Sequence, residues 1–286
     1  MTENAYAKIN IGLDVLGRRD DGYHEVRMIM QSIGLCDILT IDANDGPQIL
    51  ISTDNGQLST GEDNLIYKAA KLMTTQYALP CGIKVHLKKN IPVAAGLAGG
   101  STDAAATIRA MNRLFGLGLA TDELARLGAQ IGADVPYCII YGTVLCEGIG
   151  EILTPLDPCP PCNVLLAKPE AGVSTAYVYS NLKLEGISHP DMDAMISGIR
   201  CGDINMVARN MGNVLETVTM NEIPVIGELK RIMNESGCIG SLMSGSGPTV
   251  FGLFETRKAM QRAYDNIRGS GLSGDLFMTG FYDPGR

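Results

Sequence analysis

At 286 residues the chain is long enough for two domains, each with a core of its own. A formal charge of −8 with no offsetting basic run argues against a nucleic-acid or membrane-surface partner, although a small polyanion needs only local positive charge. Eight cysteines, no basic-then-apolar opening and no apolar stretch long enough to cross a bilayer predict a soluble, cytoplasmic protein with reduced thiols.

Residues 6–16 alternate with period two. Ala7, Ile9, Ile11, Leu13 and Val15 fall on one face; Tyr6, Lys8, Asn10, Gly12 and Asp14 fall on the other. This predicts a half-buried strand, with Lys8 and Asn10 side by side on its polar face, solvated unless something downstream gives them a partner. Residues 17–22 read as a charged turn, and Tyr23 and His24 stand at its lip. They are either ordinary surface residues or a pair able to stack on and hydrogen-bond a base. Strands at 26–30, 38–41 and 48–52 read as a meander. Asn64 is placed to cap a helix carrying Leu65, Ile66, Ala69, Leu72 and Met73. Ile83, Val85 and Leu87 alternate with Lys84, His86 and Lys88 in a strand that feeds the next stretch.

That stretch runs Pro92, Val93, Ala94, Ala95, Gly96, Leu97, Ala98, Gly99, Gly100, Ser101, Thr102, then a helix bearing Ile108, Met111 and Phe115. Ser101 or Thr102 is a natural N-cap, and Asp103 an acid suited to the first turn. A glycine-rich loop entering a helix offers free N–H groups, a positive dipole end and room for phosphate oxygens. Lysine does not follow the last glycine, as a P-loop requires, and Gly-x-Gly-x-x-Gly is broken at 96–98. We read a phosphate-binding loop of another kind; a tight Gly/Ala turn packing strand on helix is the competing reading.

A helix is expected from 122 to 132. Gly132-Ala133-Asp134-Val135-Pro136 then places Asp134 in a turn or a new first helical turn. Residues 138–146 read as a buried strand bent at Gly142. Four prolines and two cysteines fall within 154–163, which marks a domain boundary. Cys159 and Cys162 lack further zinc ligands and do not open a helix, so they read as part of a linker. Beyond it come a strand at 164–167, a short helix at 174–182 and apolar-periodic segments at 192–199, 203–218 and 224–235. Their methionines suit core filling, and Gly237 suits a helix end. A second glycine-rich turn lies within 242–254, followed by a helix at 257–268 and a strand at 276–281.

Together these motifs resemble the GHMP small-molecule kinase superfamily, whose three motifs occur in order as Ala7-Lys8-Ile9-Asn10-Ile11, residues 92–102 with their helix, and Gly245-Ser246-Gly247-Pro248-Thr249-Val250-Phe251. Ala94, Ala95 and Ala98 stand where some members have glycine, and Thr102 where serine is common. Residues 21–24, 132–136 and 147–155 resemble the branch whose acceptor is a methylerythritol carrying cytidine diphosphate. The resemblance implies an α+β fold of two domains. Residues 1–155 would form an ATP-binding domain resembling ribosomal protein S5 domain 2, and 156–286 a ferredoxin-like α/β sandwich that binds substrate. It implies ATP with Mg²⁺, held at 92–102, and transfer to the acceptor's 2-hydroxyl in the non-mevalonate isoprenoid route. Asp134 matches the catalytic base, Lys8 its paired lysine, and Asn10 a group orienting the acceptor. Tyr23, His24, Thr175 and Tyr179 match substrate-binding positions, the aromatics flanking a cytosine. A monomer or weak homodimer is expected.

Overall fold

The structure is a computed structural model and describes residues 1–285. The chain forms two compact units that interleave along the sequence: Met1–Ala7, Leu35–Val93 and Ala98–Tyr141 make the first, and Lys8–Gly34, Ala94–Leu97 and Gly142–Arg286 the second. Strands β1 (Thr2–Arg18) and β2 (His24–Ala43) contribute residues to both.

In the first unit, β2 lies between β1 and β4 (Ile83–Lys88). It runs antiparallel to β4, with Ile38 opposite Lys88 and Ala43 opposite Ile83. β3 (Leu50–Thr53) is parallel to β4. The expected meander is therefore incorrect: 26–30 and 38–41 belong to one strand of 20 residues, and the third strand does not return along it. The intervening Ser32-Ile33-Gly34-Leu35 offers no proline or turn dipeptide to stop the chain.

Four helices complete this unit. α1 (Leu65–Gln76) starts where Asn64 Oδ1 accepts the Ile66 N–H at 2.8 Å, the expected cap. It packs on α2 (Gly99–Leu114), burying Ile66, Ala69, Ala70 and Met73 near the alanines at 104–106, Ile108 and Met111. Small side chains on α2 let the two backbones approach closely. α3 (Thr121–Ala129) leads to α4 (Val135–Ile140), with Asp134 at the N-cap position. The expected strand over 138–146 is thus half helix. Pro136 is tolerated in a first turn, where no N–H is needed. Tyr141 (φ 64°) and Gly142 (φ 77°) then reverse the chain into β5 (Thr143–Gly148).

In the second unit, β5 pairs with β2 over residues 26–31 and with β6 (Ile152–Pro155), and β8 (Gly212–Asn213) adds in parallel to β1. A second sheet has the order β11-β7-β10-β9, with β7 (Asn163–Lys168), β9 (Gly240–Met243), β10 (Val250–Phe254) and β11 (Asp275–Gly280) all antiparallel to their neighbours. α9 (Val225–Glu235) and α10 (Arg257–Ser270) pack on it. That strand order, with helices between β7 and β9 and between β10 and β11, is the ferredoxin-like sandwich. α5 (Thr175–Asn181) and α6 (Met192–Cys201) form as expected. The 203–218 segment does not stay one helix: α7 (Ile204–Asn210) ends at extended Met211, β8 intervenes, and α8 (Glu216–Glu222) follows. Gly12, opposite Gly212 across that pairing, leaves room for α6; a Cβ there would sit 2.5 Å from Met195 Cε.

β1 settles what covers its polar face. Lys8, Asn10 and Asp14 are all buried, so the solvated alternative does not hold. The alternation is real, but both faces are covered.

A buried charge cluster secures the end of β4 in the first unit. Lys89 Nζ contacts Asp37 and lies 2.9 Å from Asp103 Oδ2 on α2. Asp37 Oδ1 also accepts the N–H groups of Asn90 (2.6 Å) and Ile91 (2.8 Å). Asp103 is therefore not a first-turn acid; it faces inward, and burial pushes its carboxyl well above the usual range, with Lys89 opposing. Replacing Asp37 by alanine would orphan two backbone donors and half of a buried ion pair. The expected loss is about 3–5 kcal/mol of stability, read as a lowered urea midpoint, and a midpoint at the wild-type value would contradict it.

Candidate active site

The glycine stretch enters from this anchored end. Ala94 (φ 51°), Gly96 (φ 74°) and Ala98 (φ 57°) adopt left-handed backbone, so the alanines here work at positions that favour glycine. Neither Ser101 nor Thr102 caps α2. Ala98 occupies the N-cap position without a side-chain cap, and the first helical bond runs from Thr102 N–H to the Ala98 carbonyl at 2.9 Å. The N–H groups of Gly99, Gly100 and Ser101 precede that ladder at the positive end of a helix of 16 residues. Thr102 differs from its neighbours. Its hydroxyl is fully buried and donates to the Tyr6 carbonyl at 2.8 Å, so with both donors engaged inside the protein its place in the loop is structural.

In the second unit, Lys8 Nζ donates to Asn10 Oδ1 at 2.7 Å and to the Gly96 carbonyl at 3.3 Å. Ser244 Oγ donates to the same carbonyl at 2.9 Å, and the Asn10 N–H reaches Ser244 Oγ at 3.4 Å. A Cβ on Gly96 would lie 2.2 Å from the Ser244 carbonyl oxygen, so the two glycine turns meet backbone to backbone.

From there the second turn leads to α5. Ser246 Oγ lies 2.8 Å from Thr175 Oγ1. One turn further along α5, on the same face, the Tyr179 ring sits 5.2 Å from the His24 ring with the planes inclined at 38°. Tyr23 is 61% exposed. The second unit thereby holds three local contacts, Lys8 with Asn10, Ser246 with Thr175, and Tyr179 with His24, linked along the chain by the second glycine turn and α5. Asp134 belongs to the first unit, half-buried at the start of α4.

The sequence matches the models of the GHMP kinases N terminal domain over residues 64–142 and of the GHMP kinases C terminal domain over 194–271. A 4-diphosphocytidyl-2-C-methyl-D-erythritol kinase of Lachnospira eligens is 49% identical over 98% of both chains. The protein of that name from Caldicellulosiruptor saccharolyticus is 49% identical over 94% of this chain and 93% of its own. This chain belongs to the GHMP kinases, in the family of 4-diphosphocytidyl-2-C-methyl-D-erythritol kinases. A crystal structure of 4-(cytidine 5'-diphospho)-2C-methyl-D-erythritol kinase superimposes with a TM-score of 0.85 at 31% identity, covering 99% of this chain and all of the other. Homoserine kinase from Cytophaga hutchinsonii shares the fold at 19% identity, with a TM-score of 0.77 over 97% of this chain and 94% of its own. The GHMP kinase fold alone is thus common to enzymes named for different acceptors.

Ser244 and Ser246 escaped the sequence reading, although the second glycine turn contains both. Their signal was the turn itself: small residues between two strands, where backbone must approach backbone. Lys89 and Asp37 left no local signal, being 52 residues apart.

His24 carries a testable consequence. Burial, followed by the nearby Arg18, lowers its pKa from 6.5. The neutral ring is favoured in the fold, so its stabilising contribution is present above pH 6.5 and falls away as pH drops through the depressed value. An NMR titration of the His24 ring protons should give a midpoint below 6.5; one at or above it would mean that the ring is not held against Tyr179.

Proposed function

We propose that this protein transfers the γ-phosphoryl group of ATP to the 2-hydroxyl of 4-diphosphocytidyl-2-C-methyl-D-erythritol, the kinase step of the non-mevalonate (methylerythritol phosphate) route to isoprenoids. The single observation that supports the assignment in the structure is that one unit carries both the His24–Tyr179 ring pair and the buried Lys8–Asn10 pair, with α5 and the second glycine turn leading from one to the other. That unit joins aromatic rings suited to a base to a buried ammonium suited to phosphoryl transfer. Relatives 46–51% identical that bear the corresponding name support the same acceptor.

The chemistry follows from charge and position. A bond forms from the acceptor oxygen to the γ-phosphorus while the bond to the bridging oxygen of ADP breaks, and the hydroxyl proton must leave. Asp134 accepts that proton. Lys8 is a fixed positive charge facing the negative charge that develops, held by Asn10 and the Gly96 carbonyl. Asn10 Oδ1 is engaged by Lys8, and its amide nitrogen has only the weakly accepting Met28 sulfur at 3.5 Å, so it can donate to an acceptor hydroxyl. The backbone from Pro92 to Ser101 receives the triphosphate. Mg²⁺ bound with the nucleotide would supply most of the remaining positive charge that the triphosphate needs. In this reading residues 1–155 carry ATP binding with Lys8 and Asp134, and 156–286 bring Thr175 and Tyr179 to the acceptor. No helix among the described residues is long and apolar enough to cross a membrane. A cytoplasmic monomer or weak homodimer completes the proposal.

Two measurements test it. Asp134→Asn keeps the shape of the side chain but removes the proton acceptor, so kcat should fall by roughly 100-fold or more with ATP affinity little changed. Wild-type turnover would remove Asp134 from the mechanism. For the acceptor end, CDP should compete with the cytidylyl substrate and not with ATP. Tyr179→Ala should weaken acceptor binding by roughly five- to 150-fold, the range of one lost base–aromatic stack. Competition against ATP alone, or faster ADP release with homoserine or mevalonate than with the cytidylyl substrate, would overturn the assigned acceptor.

A further inference from the structure

Three segments of the first unit meet at one phenol. The Tyr6 N–H donates to the Tyr141 hydroxyl at 3.1 Å, and the Thr102 hydroxyl donates to the Tyr6 carbonyl at 2.8 Å. With the Thr102 proton committed, only tyrosine can donate in the 3.2 Å contact between Thr102 Oγ1 and the Tyr141 hydroxyl, and its one proton is shared with the Asn4 carbonyl at 3.4 Å. The result is a ring of polar contacts through β1, α2 and the end of α4. Arg109, two turns along α2 from Thr102, locks it. Its Nη2 donates to the Tyr141 hydroxyl at 2.7 Å, its Nη1 to the Cys138 carbonyl at 2.6 Å, and its Nε to Glu3 at 2.8 Å. The guanidinium also lies 4.6 Å from the Tyr141 ring centre.

Tyr141 sits there at φ 64°, ψ −170°, a backbone region that only glycine adopts readily. Such strain persists only where surrounding contacts over-determine it, and the hydroxyl ring supplies those contacts. α4 is six residues long, has no side-chain capping bond at its start, and carries Asp134 at that start. Its start packs on α3, where a Cβ on Gly128 would lie 2.8 Å from Val135 Cγ1, and its far end is tied to α2 through Tyr141 and the Cys138 carbonyl.

We propose that Tyr141, through its ring of polar contacts with Thr102, Tyr6 and Arg109, is a positioning residue that holds the Asp134 helix in register with the phosphate-binding start of α2. The inference rests on Asp134 being the base. Polar networks of this kind act as a unit, and a displacement near 1 Å at a reacting group costs roughly 100-fold in rate.

Tyr141→Phe removes one oxygen and keeps the ring. kcat per folded active site should drop roughly 10- to 100-fold while KM for ATP and for the acceptor stay within about threefold, the folded fraction being measured separately by circular dichroism because lost folding alone also lowers apparent kcat at unchanged KM. Thr102→Val should lower kcat in the same way and Thr102→Ser should restore it; this pair carries the test if Tyr141→Phe does not fold. In an Asp134→Asn background, Tyr141→Phe should add little, because the group it positions is already gone. A normal kcat in folded Tyr141→Phe overturns the inference, as do losses that simply add to those of Asp134→Asn. Wild-type turnover in Asp134→Asn, by contrast, removes the base on which the inference rests, whatever Tyr141→Phe does.

Discussion

The second unit depends on two glycine turns that touch through their backbones. With a Cβ at residue 96 placed 2.2 Å from the Ser244 carbonyl, no other residue fits without moving a strand connection. This contact turns the Gly96 carbonyl toward Lys8 and Ser244 together, and the lysine's position follows. An ammonium can be buried only where oxygen atoms already point at it. Here the oxygens include a backbone carbonyl and an asparagine amide. Lys89, clasped by two buried carboxylates, serves the framework.

Much of this was legible from residues alone. Strand periodicity placed β1, β4, β7 and β11 correctly, and Asn64 marked the start of α1. The ferredoxin-like half and the superfamily came from motifs in order. Failures cluster where a local pattern has two physical solutions. Alternation in β1 marked the apolar face but said nothing of whether the polar face was also covered, so Lys8 and Asn10 were given partners only by the family resemblance. A short apolar run such as 135–140 fits a helix or a strand equally well until the backbone at Tyr141 and Gly142 decides.

The glycine loop shows the same ambiguity at a finer scale. Phosphate access would account for glycine at 99 and 100, but packing accounts for it at 99 without any ligand, since a Cβ there would lie 3.0 Å from Lys89 Nζ and 3.2 Å from Ile91 Cγ2. Thr102 read as a cap or a ligand contact because a hydroxyl at a helix start usually has one of those roles. Its true partners, Tyr6 and Tyr141, lie 96 and 39 residues away, and no local rule reaches that far.

The contact between His24 and Tyr179 changes how recognition of a base should be counted. A planar ligand entering there does not meet two bare rings; it exchanges an existing ring contact for its own. The stacking gain is set off in part by the tilted ring contact that is given up. Ordering of the tyrosine has already occurred, which lowers the entropy lost on binding. Discrimination then passes from the faces of the rings to their edges, where a neutral imidazole offers one donor and one acceptor in fixed directions. Such a site would hold different flat heterocycles with comparable strength and sort them by which edge they present.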